Sequence, residues 1–133
     1  MRSPAARSGP QALSPRETRR LLIVEDDRAT YTALRSLFVR RGWEVVVATN
    51  LAEALESLSA RPSAVILDLM LPDGDGAVLL ERMRQLGLDA RVVVTTGLND
   101  PVRLDAVKGF SPALLMHKPI DLLALYRSLD DVQ

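Results

Sequence analysis

Three acidic residues and one lysine stand where short apolar runs end. Asp68 closes Ala64-Val65-Ile66-Leu67, Glu25 and Asp26 follow Leu21-Leu22-Ile23-Val24, and Lys118 follows Leu114-Leu115-Met116-His117 and precedes Pro119. Short apolar runs bounded by turn signals read as buried parallel strands. Open parallel sheets gather their ligand chemistry at the carboxyl ends of the strands. Charged groups at three such ends should therefore converge on one small site. Clustered carboxylates suit a hard, oxygen-preferring cation, and an ammonium beside them suits an anion. The pair implied is Mg²⁺ and phosphate. Within it, Asp68 can act as a nucleophile that takes a phosphoryl group as an acyl phosphate, and a divalent cation would relieve the repulsion between that carboxylate and an anionic donor.

The elements that must position these groups alternate along the chain. Strands are expected at 21–25, 44–48, 63–68, 91–96 and 113–117, with helices near 28–41, 51–60, 75–87, 100–108 and 120–130. In the first helix Leu34, Leu37 and Phe38 share a face from which Arg35, Arg40 and Arg41 are absent. Asp27 can cap its start near Thr30, and Gly42 is a natural stop. Asn50 with Glu53 forms a capping pair for the second helix, and Pro62 closes the turn before the third strand. Regular strand–helix alternation argues an α/β fold with right-handed crossovers and helices on both faces. Five such units fit a flavodoxin-like doubly wound five-stranded parallel sheet, order 2-1-3-4-5, with five helices. That order sets the first strand between the second and third, making Glu25, Asp26 and Asp68 neighbours.

The length of 133 residues allows one domain with a sizeable core, and 47% hydrophobic with 26% charged residues is ordinary for a globular chain. The absence of cysteine excludes thiol catalysis and zinc–thiolate sites, and a single histidine, His117, excludes a histidine-cluster metal site. His117 lies inside the fifth strand pattern and reads as a residue at the site's edge. No apolar stretch approaches the roughly 20 residues of a membrane span and no hydrophobic signal segment opens the chain, so a cytoplasmic location and no membrane partner are expected. The net charge of zero hides an asymmetry: residues 1–20 sum to +4 and residues 21–133 to −4. Residues 1–19 read as a flexible basic tail, a leader more than a nucleic-acid arm, ahead of a domain over 20–133. The chain ends about where a fifth helix should, which leaves no room for an output domain.

Four motifs in order resemble the receiver domain of bacterial two-component response regulators, over about Arg20 to Leu129. They are the acid group Glu25-Asp26-Asp27, the block Asp68-Leu69-Met70-Leu71-Pro72-Asp73-Gly74-Asp75-Gly76, the hydroxyls of Thr95-Thr96-Gly97, and Lys118-Pro119. The resemblance implies that Asp68 is the phosphoacceptor. It implies Mg²⁺ held by Glu25, Asp26, Asp68 and the backbone carbonyl of Met70, with Asp26 the more direct ligand and Glu25 reaching the metal through water. It makes Lys118 the charge partner of Asp68 and then of the phosphoryl group, before a peptide bond to Pro119 that the family often holds cis. Thr96 becomes the switch hydroxyl, preferred over Thr95 by its spacing to Lys118 and the small Gly97. The stretch Asp73-Gly74-Asp75-Gly76, which lacks a correctly spaced distal glutamate for a calcium loop, becomes the turn into the third helix.

By the same resemblance the protein is a phosphoryl-accepting switch. A histidine kinase or histidine phosphotransfer protein phosphorylates Asp68, and the signal passes to a downstream protein target or an output domain outside this chain. It is then no conventional enzyme, catalysing only its own phosphorylation and slow dephosphorylation. Direct nucleic-acid binding is not expected, and the chain should be a monomer or weak homodimer. Two departures stand out. Leu115 occupies the position of the aromatic that the family couples to the switch hydroxyl. Met70 and Leu98, two residues after Asp68 and Thr96, are apolar where a side chain could orient the hydrolytic water. Two other classes compete. A phosphatase with an aspartyl nucleophile would place a second aspartate at position 70, where Met70 stands. A degenerate receiver serving as a phosphorylation-independent binding module gains weight from Leu115 and loses it to the intact acids, Thr96 and Lys118.

Overall fold

Residues 19–130 are described by a computed structural model of the chain. Its apolar runs form β1 (Arg20–Val24), β2 (Glu44–Ala48), β3 (Ala64–Asp68), β4 (Arg91–Thr96) and β5 (Leu114–His117). They lie in one parallel sheet of order β2-β1-β3-β4-β5, the doubly wound order that the alternation predicts. Central β3 is buried at all five positions, as a strand covered on both faces must be. The helices are α1 (Arg28–Arg40), α2 (Leu51–Ser57), α3 (Ala77–Gln85), α4 (Pro101–Lys108) and α5 (Leu122–Asp130).

Side chains alternate across the sheet with period two and so divide the core. Leu22, Val24, Val65, Leu67 and Val94 pack with Ala54 of α2, Leu79 and Met83 of α3 and Leu104 of α4. Leu21, Ile23, Ile66, Val93 and Met116 pack with Leu34 and Phe38 of α1 and with Leu125 and Leu129 of α5. Three helices therefore cover one face and two the other. Among the described residues no helix is long and apolar enough to cross a membrane. All but Arg19 of the tail expected over 1–19 lies outside the described residues, as do residues 131–133.

Local chemistry sets the boundaries. Asp27 caps α1 by accepting from the Thr30 amide at 3.0 Å, and Gly42, at φ 89°, follows the end of that helix. Asn50 accepts from the Glu53 amide at 2.8 Å, while the Glu53 carboxylate takes the amide of Thr49, also at 2.8 Å, instead of that of Asn50. Helix α2 stops at Ser57, short of the expected residue 60, and tightens into a 3₁₀ turn over Leu58–Ala60. Arg61 then closes that turn in the left-handed region at φ 52°, its amide donating to the Leu58 carbonyl at 2.9 Å, a common helix ending. Helix α3 begins at Ala77, later than expected, because Met70–Leu71 and Gly74–Asp75 pair as a small antiparallel ribbon. Helix α5 starts two residues later than expected, after a cis Lys118-Pro119 peptide, with Asp121 accepting from the Ala124 amide at 3.1 Å.

Candidate functional site

The register of β1 on β3 pairs Val24 with Leu67, so Glu25 and Asp68 emerge side by side at the carboxyl edge of the sheet. Both are buried, with 1% and 3% of their surface exposed. Two adjacent buried carboxylates are costly unless a cation and hydrogen-bond donors compensate them. Lys118, just past β5, supplies the cation. Its Nζ donates to Glu25 Oε1 and to Asp68 Oδ2, both at 3.0 Å. The other two oxygens are met by backbone amides at 3.0 Å, Asp68 Oδ1 by Met70 N and Glu25 Oε2 by Asp27 N.

Burial pushes the Glu25 carboxyl above its ordinary value, against the pull of the Asp27 amide and Lys118, and the charge of Asp68 adds to the rise. For Lys118 burial disfavours the ammonium, but its bonds to Asp68 and Glu25 outweigh that and raise its pKa. Exposed Asp26 completes the group: carboxylate oxygens of Glu25, Asp26 and Asp68 lie within 4.8 Å of one another. Two desolvated carboxylates and one facing solvent, all oxygen donors, fit a hard divalent cation. Asp27 stands apart as the α1 cap, its carboxyl held below the usual range by the Thr30 hydroxyl and amide.

Thr96 is buried, and its carbonyl accepts from the Lys118 amide at 2.9 Å. Its hydroxyl accepts from the Leu98 amide at 2.8 Å and, among the described residues, makes no hydrogen bond to Asp68. Thr95, the neighbour set aside by spacing, is the residue level with Asp68 across β3 and β4. Leu115 is level with Val94, on the face of the sheet that Thr96 shares, and packs into the core under α2, α3 and α4. His117 is exposed at the end of β5.

Two acids in the segment after Asp68 have roles that reading it as a turn does not supply. Asp73 accepts from the amides of Leu51 and Ala52 at 2.7 and 3.0 Å. Asp75 accepts from the Ala77 amide at 2.9 Å and pairs with Arg103 of α4 at 2.8 Å. The density of acids and glycines there is visible in the chain, but no local pattern marks Leu51, Ala52 and Arg103 as partners.

The sequence profile of the response regulator receiver domain matches residues 21–130. The chain belongs to the response regulator receiver family. This receiver is 38% identical over 78 residues to the response regulator MprA of Mycolicibacterium vanbaalenii, a stretch covering 58% of this chain and 34% of that protein. The match thus spans about a third of its curated relative's length. A response regulator from Burkholderia pseudomallei, solved with a phosphorylated aspartic acid, a calcium ion and citrate, superposes with a TM-score of 0.75 at 25% identity, covering 84% of the receiver and 66% of that chain. The BeF3-activated N-terminal receiver domain of RstA from Klebsiella pneumoniae gives 0.70 at 25% identity, covering 83% and 97%. Family membership makes this a signalling domain of two-component systems.

Proposed function

We propose that Asp68 accepts a phosphoryl group from the phosphohistidine of a histidine kinase or phosphotransfer protein, and that the phosphorylated receiver signals to a downstream protein. The observation that carries this reading is the shared contact of Lys118 with buried Glu25 and Asp68. It holds a nucleophile and a phosphate-binding cation together at a sheet edge beside exposed Asp26. In the transfer an Asp68 oxygen forms a bond to phosphorus as the donor's P–N bond breaks, and the donor imidazole keeps the electron pair and takes a proton from solvent. Lys118 exchanges its bond to Asp68 for one to a phosphoryl oxygen, and Thr96 turns its hydroxyl from the Leu98 amide to another. Glu25, Asp26, Asp68 and the Met70 carbonyl would hold Mg²⁺, whose charge offsets the repulsion between Asp68 and an anionic donor. An apolar groove beside Lys118, lined by Ala33, Pro119, Ile120 and Leu122, offers the donor protein a surface next to the nucleophile.

Intact mass after incubation with Mg²⁺ and a small phosphodonor tests this reading. A single phosphoryl adduct is expected, absent in Asp68→Asn and without Mg²⁺. No adduct under any condition would leave the phosphorylation-independent binding module, the reading that the leucine at 115 favours. The adduct should also be long-lived, since neither exposed Met70 nor half-buried Leu98 can orient a water by hydrogen bonding. Decay within seconds would contradict that expectation.

A further inference from the structure

The segment from Asp68 to Gly76 carries Met70 away from the acceptor and back in a ribbon of two rungs, Met70 with Asp75 and Leu71 with Gly74. So small a ribbon has no stability of its own, so its shape depends on what ties it down. At the base Gly76 donates to the Leu69 carbonyl at 2.8 Å, and Asp75 pairs with Arg103 of α4 at 2.8 Å. At the tip the ties are the two bonds from the Leu51 and Ala52 amides to the Asp73 carboxylate. The tip also lies directly on the start of α2: a Cβ at Gly74 would stand 3.1 Å from Leu51 Cδ2. Helix α2 has a separate cap, Asn50 on the Glu53 amide, so the Asp73 bonds add a tether between that helix and the loop.

We propose that Asp73 is a positioning residue for the cation at Glu25, Asp26 and Asp68, acting through the ribbon to hold the Met70 backbone toward them. The proposal rests on the metal-binding reading given above. Asp73 touches neither the cation nor the nucleophile. Its tether keeps the ribbon tip on α2, and Met70, bonded at its amide to Asp68 Oδ1, then keeps one orientation. Without the tether the tip loses its hold on α2, although Asp75 still pairs with Arg103 and Leu71 stays buried, and the carbonyl contribution to the cation weakens while the three carboxylates remain.

Calorimetric titration of the full chain with Mg²⁺ alone, paired with thermal denaturation in its absence, tests the proposal. The variants are Asp73→Ala, Asp73→Asn and Asn50→Ala. Asp73→Ala is expected to weaken Mg²⁺ binding about tenfold, the low end of what losing a supporting partner costs a metal site. Asp73→Asn, which keeps one acceptor oxygen, should recover part of that affinity. Asn50→Ala should lower the melting temperature without weakening Mg²⁺ binding. Unchanged affinity in Asp73→Ala would overturn the proposal. So would an equal loss in Asn50→Ala, since the stability of α2 alone would then account for it. Should Asp73→Ala not fold, Asp73→Asn against Asn50→Ala decides by the same criterion. Failure of the underlying reading looks different: the wild-type chain itself would take up no Mg²⁺.

Discussion

Strand β1 has an ion pair near each end, and the two differ in everything but length. At its start Arg20 Nε meets Glu44 Oε1 at 3.1 Å, with side chains 49% and 69% exposed. Just past its end Glu25 shares Lys118 with Asp68 at 3.0 Å, and the side chains of the two acids are 2% and 5% exposed. An exposed pair gains little Coulomb energy over water and contributes at most about 1 kcal/mol. A buried group of charges contributes little net stability either, but removing one partner leaves the rest uncompensated. Similar distances thus describe an incidental surface contact at one end of the sheet and an interdependent site at the other. A mutually dependent cluster of charges is what a site for a cation and an anion requires, and it is a poor way to stabilise a fold.

Removing Lys118 is the strongest way to break that comparison. Lys118→Met should destabilise the domain by about 3 kcal/mol at neutral pH, since Glu25 and Asp68 would face each other without a cation. Urea denaturation measures this, and a loss near that of an exposed pair would erase the distinction. The pH dependence sharpens it. The folded pKa of Lys118 lies above its ordinary 10.5, so its stabilisation is complete below that pH and is lost as pH rises through the folded value. The wild type should lose stability in that alkaline window more steeply than Lys118→Met. Glu25 also has a raised folded pKa, above 4.5. For a carboxyl this stabilises the fold at low pH and fades as pH rises through the folded value. Without Lys118 that shift grows, so Lys118→Met should recover stability on acidification from neutral pH while the wild type changes less.

Glycines at the two ends give a second, smaller contrast. A Cβ at Gly76 would stand 2.6 Å from the Asp68 carbonyl oxygen and 2.9 Å from Leu69 Cα, both backbone atoms that cannot step aside. Gly76→Ala should cost about 2 kcal/mol and reduce phosphoryl uptake by displacing Asp68. Gly42, before β2 at the opposite end, has φ 89° and nothing within 4 Å of its missing Cβ. Gly42→Ala should cost only the left-handed backbone penalty, about 1 kcal/mol, and leave uptake unchanged. The smallest effect belongs to Arg20→Ala, below about 1 kcal/mol in urea denaturation, although Arg20 also donates to the Ala60 carbonyl at 3.0 Å.

The strands were readable because each is a short apolar run with a turn signal after it, and Val65, Ile66 and Leu67 have nowhere to go but inward. The helix caps at Asp27 and Asn50 were readable because a cap depends on residues three apart. The ribbon after Asp68 was not. Leu71-Pro72-Asp73-Gly74 looks like any turn, and Leu51 and Ala52 on α2 and Arg103 on α4, which meet Asp73 and Asp75, are connected to them by no local pattern. The two threonines show the same limit. Spacing to Lys118 selects Thr96, yet the sheet register sets Thr95 level with Asp68, and the Thr96 hydroxyl is held by the Leu98 amide.

Residue types and their order along the chain are enough to specify five strand–helix units, the sheet order and the meeting of Glu25, Asp26 and Asp68 at one edge. Period-two burial and short connections leave few other ways to cover those apolar runs. Which oxygen meets which donor follows only once the chain has folded. Lys118 reaches both Glu25 and Asp68 because β5 lies two strands from β3, and the loop beyond Asp68 takes its shape from helices far along the chain. Hydrogen bonds and charge compensation act over a few ångströms in space, whatever the separation in sequence.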